Sequence, residues 1–218
     1  QLLQWSQSQV HIALGNALNG AYSLGLGACP MTAFRPDAIY VPAGWFDAEE
    51  TAPAILEGID MAQSMDVPIM ELRAGDEIAL TSTATLTVYS PVGDEEPASV
   101  NDMSLLALVR CEGQGALFTG DLSQAGEPLV IPDADVLKVA HHGSDKGTSK
   151  RLLEASTPDI AVISVGENNY GHPGNETLGR LIDSQALDMS PRRITLSTVG
   201  LPNRIRRLMD EGLPLVLA

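Results

Sequence analysis

Aromatic residues are scarce. Phe, Trp and Tyr make up 4% of the 218 residues, so a core has to be built mainly from Leu, Ile, Val, Ala and Met. Cysteine is nearly missing: Cys29 and Cys111 stand far apart and form no metal-binding spacing. A reduced compartment is the simpler reading than a disulfide. No stretch comes near the ~20 continuous apolar residues of a membrane span. No basic-then-apolar leader is visible either, but the chain begins with Gln1, so a leader or a longer N-terminal region is expected to be missing. Positive charge is short as well. Thirteen Lys and Arg stand against 28 Asp and Glu, a net charge of −15. That balance favours solubility and will not attract DNA by bulk charge, so a nuclease in this frame would need bound cations to offset its own field. The length suits a single domain able to bury roughly 70% of its unfolded surface.

What is present is concentrated between Leu117 and Pro173. The chain reads L-F-T-G-D (Leu117 to Asp121), V-L-K-V-A-H-H-G-S (Val136 to Ser144) and V-I-S-V-G-E-N-N-Y-G-H-P (Val162 to Pro173). Each apolar, β-branched run ends in polar, glycine-rich residues and delivers an Asp or a His. Three of the four histidines, His141, His142 and His172, lie here. Asp and His at strand tips are the pattern of a metal site carried on loops above a rigid sheet.

Elsewhere the pattern predicts a strand at 38–42, a helix from a cap at Asp47 to about Met65 with Ile55, Ile59 and Ala62 on one face, and a strand at 67–72. Arg73 to Ile78 reads as a turn into another strand, and 81–89 alternates as a half-buried strand. Residues 104–109 and 115–119 read as an antiparallel pair about a turn at 111–114. A helix over 148–156, capped by Thr148 or Ser149, a buried strand at 160–165 and a helix from Asn175 or Thr177 to Ile182 follow. Strands first in hairpins, then alternating with helices, predict an α/β architecture of sheet layers covered by helices.

These three motifs in order, T-G-D, K-V-A-H-H-G-S and S-V-G-E-N-N-Y-G-H-P, resemble the metallo-β-lactamase-like domain at the C-terminal end of the ComEC/Rec2 competence proteins. The resemblance extends from about Pro36 to Leu181 and implies a layered αββα sandwich over residues 1–183. It also implies metal-dependent hydrolysis of DNA, on a single strand, by a soluble domain attached to a polytopic membrane channel and lying outside the cytoplasm. No channel segment is present here. The family's main metal motif, H-x-H-x-D-H, belongs near Ile12 to Gly20, and that window holds neither His nor Asp. The earlier D-V-G-Q-G-D strand is absent too. The domain is therefore expected to be N-terminally incomplete, and a truncated sheet predicts poor solubility or oligomers. His11 reads as an ordinary residue.

By this resemblance Asp121 is the carboxylate that bridges two ions and His172 is a ligand of one, with zinc or manganese as the cation. His141 and His142 lie where related nucleases place a histidine near the scissile phosphate. If they continue a strand, only one of the two faces the site. Ser144 and the Gly143 amide are candidates for a phosphate oxygen, and Asn101 with Ser104 for the lining of the same pocket. Plainer readings stand beside these: Asp121 as a turn residue, His172 as a loop residue, Gly143, Gly166 and Gly171 as turn-formers, and Lys138 as a solvated strand residue. Two functions follow, a nuclease domain whose activity is impaired by the missing ligands and a non-catalytic binding or scaffold module.

The sequence changes character after about Asp183. M-S-P-R-R-I-T-L-S-T-V-G-L (Met189 to Leu201) and I-R-R-L-M-D-E-G-L-P-L-V-L-A (Ile205 to Ala218) resemble an internal β-α-β piece of the RlmN-type radical-SAM rRNA methyltransferases. The cluster-binding C-x-x-x-C-x-x-C of that family is absent, so neither an iron-sulfur cluster nor SAM chemistry is implied. Residues 184–218 are read as a separate βαβ fragment joined near 182–187; the other reading makes them the last βαβ unit of the first domain.

Overall fold

The computed structural model describes residues 38–44, 59–60, 62–91, 99–165, 168–183, 187–197 and 216–217. His11, Gly166, the helix start at Asp47 with Ile55, and the tail helix expected beyond Asn203 lie outside these residues. So does the window where the family's main metal motif belongs.

Ten strands form two sheets among the described residues. Strands β1 (Ile39–Pro42) and β2 (Ile69–Leu72) pair in parallel. The larger sheet holds β3 (Glu77–Ala79), β4 (Ala84–Ser90), β5 (Leu106–Cys111), β6 (Gln114–Phe118), β7 (Val136–Lys138), β8 (Ile160–Ser164), β9 (Ile194–Ser197) and β10 (Val216–Leu217). Its order is β10-β9-β8-β7-β6-β5-β4-β3. From β3 to β6 the neighbours are antiparallel, and from β6 to β10 they are parallel. The β5–β6 turn works because Glu112 and Gly113 both take positive φ, 50° and 88°, which matches the right-handed twist of a hairpin.

Helix α1 (Lys150–Ser156) connects β7 to β8, and α2 (Asn175–Ile182) lies between β8 and β9. Ser149 caps α1 by accepting from the Leu152 amide. The N-cap of α2 is Gly174, which has no side chain to offer. Asp145 takes over, its Oδ1 accepting from the Thr177 amide at 2.9 Å. It packs so closely that a Cβ on Gly174 would lie on the carboxylate.

Among the described residues the centre of the core holds no aromatic ring. Leu106, Leu117, Leu137, Leu152, Leu153, Ile163, Leu181 and Ile194 are fully buried in one cluster. Each is worth about 2 kcal/mol relative to exposure. The tail contributes to this core. β9 pairs with β8 in parallel, Ala161 opposite Ile194 and Ile163 opposite Leu196, and both of these tail residues are buried.

Candidate functional site

Strands β6, β7 and β8 run side by side and in parallel, so their carboxyl ends open on one edge of the sheet. Loops beyond such ends are where open α/β sheets place their sites. The loop after β6 carries Asp121, the turn after β7 carries His141 and His142, and the loop after β8 carries His172.

Gly120 has φ +54°, and a Cβ there would lie 2.6 Å from the Ser104 Cβ. That close approach lets Ser104 Oγ accept from the Asp121 amide at 3.0 Å. Ser104 thus holds the backbone of the acid, and Asn101 supports it through its carbonyl, which accepts from the Ser104 amide. Asp102, which sequence reasoning passed over, fixes the next turn. It is buried, and its carboxylate accepts from Ser99 Oγ at 2.7 Å and from the Ser123 amide at 3.0 Å. Burial pushes its pKa up, but the hydrogen bonds from Ser123 and Ser99 outweigh burial and leave it below the ordinary aspartate value.

The Asp121 carboxylate is 40% exposed and faces an imidazole and an ammonium. His142 Nε2 stands 3.6 Å and Lys138 Nζ 3.9 Å from Oδ1. Lys138 is not the solvated strand residue of the plainer reading. Its ammonium is drawn in to donate to the Gly120 carbonyl at 2.8 Å. Burial lowers its pKa, and Asp121 opposes that shift.

His141 and His142 do not continue a strand. β7 ends at Lys138, and the two histidines with Gly143 form a left-handed turn with φ of 50°, 55° and 80°. The alternation that would send one ring away therefore does not operate, and both rings belong to the cluster. Such backbone costs on the order of 1–3 kcal/mol per non-glycine residue and persists where its surroundings hold it. Here the His141 amide donates to the Gly120 carbonyl, the Ser144 amide to the His141 carbonyl and the Gly174 amide to the Gly143 carbonyl. Gly143 sits under Pro173, whose Cβ would be 2.7 Å from an added Cβ.

The ring of His142 can be assigned a proton. Nδ1 lies 2.7 Å from the Ser164 carbonyl oxygen, which only accepts, so Nδ1 carries the hydrogen. Nε2, facing Asp121, then holds a lone pair in the neutral ring or a second proton in the cation. The His141 ring packs edge-on at 5.6 Å from His172 and 6.4 Å from His142, and its Nδ1 is buried with no hydrogen-bond partner among the described residues. His172 is fixed through its backbone, because Asn168 Oδ1 accepts from its amide and Asn168 Nδ2 donates to its carbonyl. Burial, then repulsion from His141 and His142, lowers the His172 pKa against the pull of Asp145 and Asp121. Tyr170 lies 5.9 Å from His172 in a stacked arrangement.

The structure thus gathers Asp121, His141, His142 and His172 and adds Lys138. Ser144 is buried, with its hydroxyl accepting from the Lys146 amide at 3.3 Å and its carbonyl accepting from Thr177 Oγ1 at 2.8 Å. Asp145 and Asn168 were missed. Asp145 directly follows the H-H-G-S motif and Asn168 lies inside the third motif, but each acts on backbone, which leaves no chemical signature in sequence.

Among the described residues the donor set falls short of a metal centre. No group of three or more His, Cys, Asp or Glu converges among the described residues, whereas a catalytic zinc takes three protein ligands and a water. Asp121 and His142 make a pair, and Lys138 already balances part of the carboxylate charge. Residues 1–36 contain no Asp or Glu, and His11 and Cys29 are their sole His and Cys.

Residues 102–167 match the sequence profile of the Metallo-beta-lactamase superfamily. Among curated proteins, the ComE operon protein 3 of Bacillus subtilis is 35% identical over 146 residues, which cover 64% of this chain and 18% of that protein. Recombination protein 2 of Haemophilus influenzae is 36% identical over 85 residues, 37% of this chain and 11% of that protein. The chain thus spans a small part of these relatives. A different kind of relative, the dual-specificity RNA methyltransferase RlmN 1 of Myxococcus xanthus, is 42% identical over 73 residues, 31% of this chain and 20% of that protein. The fold is that of the metallo-β-lactamase superfamily, and over the matched residues the chain is similar to the ComEC/Rec2 competence proteins.

Proposed function

We propose that this chain is a ComEC-type domain of a DNA-uptake system in which the ancestral nuclease site serves mainly to contact DNA. The observation that carries the reading is the state of Asp121. The residue expected to bridge two ions instead meets one histidine and one ammonium, and no third ligand converges among the described residues. Hydrolysis by this family would need zinc or manganese to supply a hydroxide and to stabilise the phosphate. Asp121, His142 and His172 do not complete such a centre, so metal-dependent cleavage is weak or lost.

What remains suits an anion. Lys138 and the three imidazoles gather around Asp121 beyond the carboxyl ends of β6, β7 and β8, and DNA phosphate is the anion that the competence relatives point to. The proposed partner is a single DNA strand. The proposed location is outside the cytoplasm beside a membrane channel that this chain does not contain, and among the described residues no helix is long and apolar enough to cross a membrane.

A surviving nuclease is the second reading. The strained His141–His142 turn and the orphaned His141 Nδ1 favour it, since strain and unpaired buried groups cluster at reactive sites. Thermal unfolding of the whole chain separates the two, because a ligand that binds the folded state raises its midpoint. A single-stranded oligonucleotide is expected to raise the midpoint, and His142→Ala to abolish the shift. Mn²⁺ or Zn²⁺ is expected to give no saturable shift. A saturable metal shift lost in both Asp121→Ala and His172→Ala would establish a working centre, and no response to DNA would refute the contact role.

A further inference from the structure

Tyr170 stands 84% exposed on the loop that follows β8. In a chain with nine aromatic residues (Phe 3, Trp 2, Tyr 4), leaving one almost wholly in water brings no gain in burial. The loop that presents it is nevertheless built with care. One side chain, Asn168, accepts from the Tyr170 amide at 3.1 Å and the His172 amide at 3.0 Å and donates to the His172 carbonyl at 3.0 Å. Gly171 makes the turn with φ +81°. The ring is then stacked on His172, with centroids 5.9 Å apart and planes 20° apart, and its outer face is left open. His172 in turn touches His141, and His142 follows before Asp121. An open aromatic face is thus held one ring away from a group of imidazoles and an ammonium.

We propose that Tyr170 is a base-stacking platform that receives one nucleobase of a single DNA strand while the neighbouring phosphate lies over His141 and His142. The inference rests on the DNA-contacting reading of the site and adds the residue that selects the form of DNA. A flat ring with one free face takes another flat ring, and every base offers one. Bases inside a duplex are already stacked on both faces, so the platform engages unpaired or terminal nucleotides. Stacking also suits the charge of the chain. A protein with a net charge of −15 cannot rely on bulk attraction, and stacking does not depend on it.

Fluorescence anisotropy with the whole chain tests this, using a labelled 12-nucleotide thymidine strand and an abasic strand of equal length. The wild type is expected to bind the thymidine strand about tenfold more tightly than the abasic one, the effect of losing one stack. Tyr170→Phe keeps that preference. Tyr170→Leu loses it and binds both strands as the wild type binds the abasic one, and His142→Ala weakens both strands alike. Tyr170 is exposed, so melting midpoints should be unchanged in both Tyr170 variants. An intact preference in Tyr170→Leu overturns the platform while leaving the DNA contact in place. Failure of the wild type to bind either strand overturns the DNA reading, and the platform with it.

Discussion

Asp102 holds the turn that follows Asp121, and it offers a test by pH. Hydrogen bonds from Ser123 and Ser99 hold its folded pKa below the value near 3.8 that it has when exposed. A depressed acid contributes stability that is fully present above the unfolded value and is lost as pH falls through the folded one. Below about pH 3.8 the wild type should therefore lose this contribution, and Asp102→Asn, less stable at neutral pH, should show a flatter acid limb in urea unfolding. A parallel acid limb would mean that Asp102 is not held as an anion. At Gly143 the backbone decides: φ is +80° and Pro173 leaves no room for a Cβ, so Gly143→Ala should cost roughly 1–3 kcal/mol or more by the shift in urea midpoint. Asp121 and the motif histidines were legible in sequence because their chemistry is rare and their spacing repeats the family pattern. Asp102, Asp145 and Asn168 were not. Asp102 accepts an amide 21 residues away and Asp145 one 32 residues away, and such pairings exist only once the chain has folded.

Among the elements, α1 and β9 make the sharpest claims. Ser149 caps α1 and also hydrogen-bonds with both its amide and its hydroxyl to the carboxylate of buried Glu127, which Arg151 approaches at 3.5 Å. Ser149→Ala should cost more than the ~1 kcal/mol of an ordinary cap, because a buried carboxylate loses a donor as well. A thermal midpoint within a degree of wild type would contradict this. The burial of Ile194 beside Leu181 in one cluster implies that Ile194→Ala should cost roughly 2–5 kcal/mol in the unfolding of the whole sheet. An independent tail module would leave that transition where it was. Strands and helices were largely legible from periodicity: the β5–β6 hairpin, the cap at Ser149 and α2 fall where the pattern puts them. The turn of His141 and His142 was not, since V-L-K-V-A reads as one strand, while the folded chain holds the turn through the Gly120 carbonyl, the Gly174 amide and Thr148 Oγ1, which accepts from the Ala140 amide at 3.0 Å. The place of β9 was equally hidden, because partner choice in a parallel sheet is set by long-range register.

At the scale of the molecule, charge and site pull in opposite directions. The net charge of −15 repels a polyanion, while in the proposed contact role Lys138 and the imidazoles meet one or two phosphates locally. Few neutralised phosphates mean a shallow dependence on salt. Binding of a single strand should fall by less than about tenfold between 50 and 200 mM salt, and a steeper loss would point to a wider basic surface. The central claim, that the site contacts DNA but no longer supports efficient metal-dependent cutting, is tested most directly by incubating an end-labelled single strand with the whole chain and Mn²⁺ or Zn²⁺, beside a chelator control and Asp121→Ala, and resolving the products. The expected result is an intact strand, with wild type and Asp121→Ala indistinguishable. Metal-dependent fragments that disappear in Asp121→Ala would contradict the claim and establish the domain as a working nuclease.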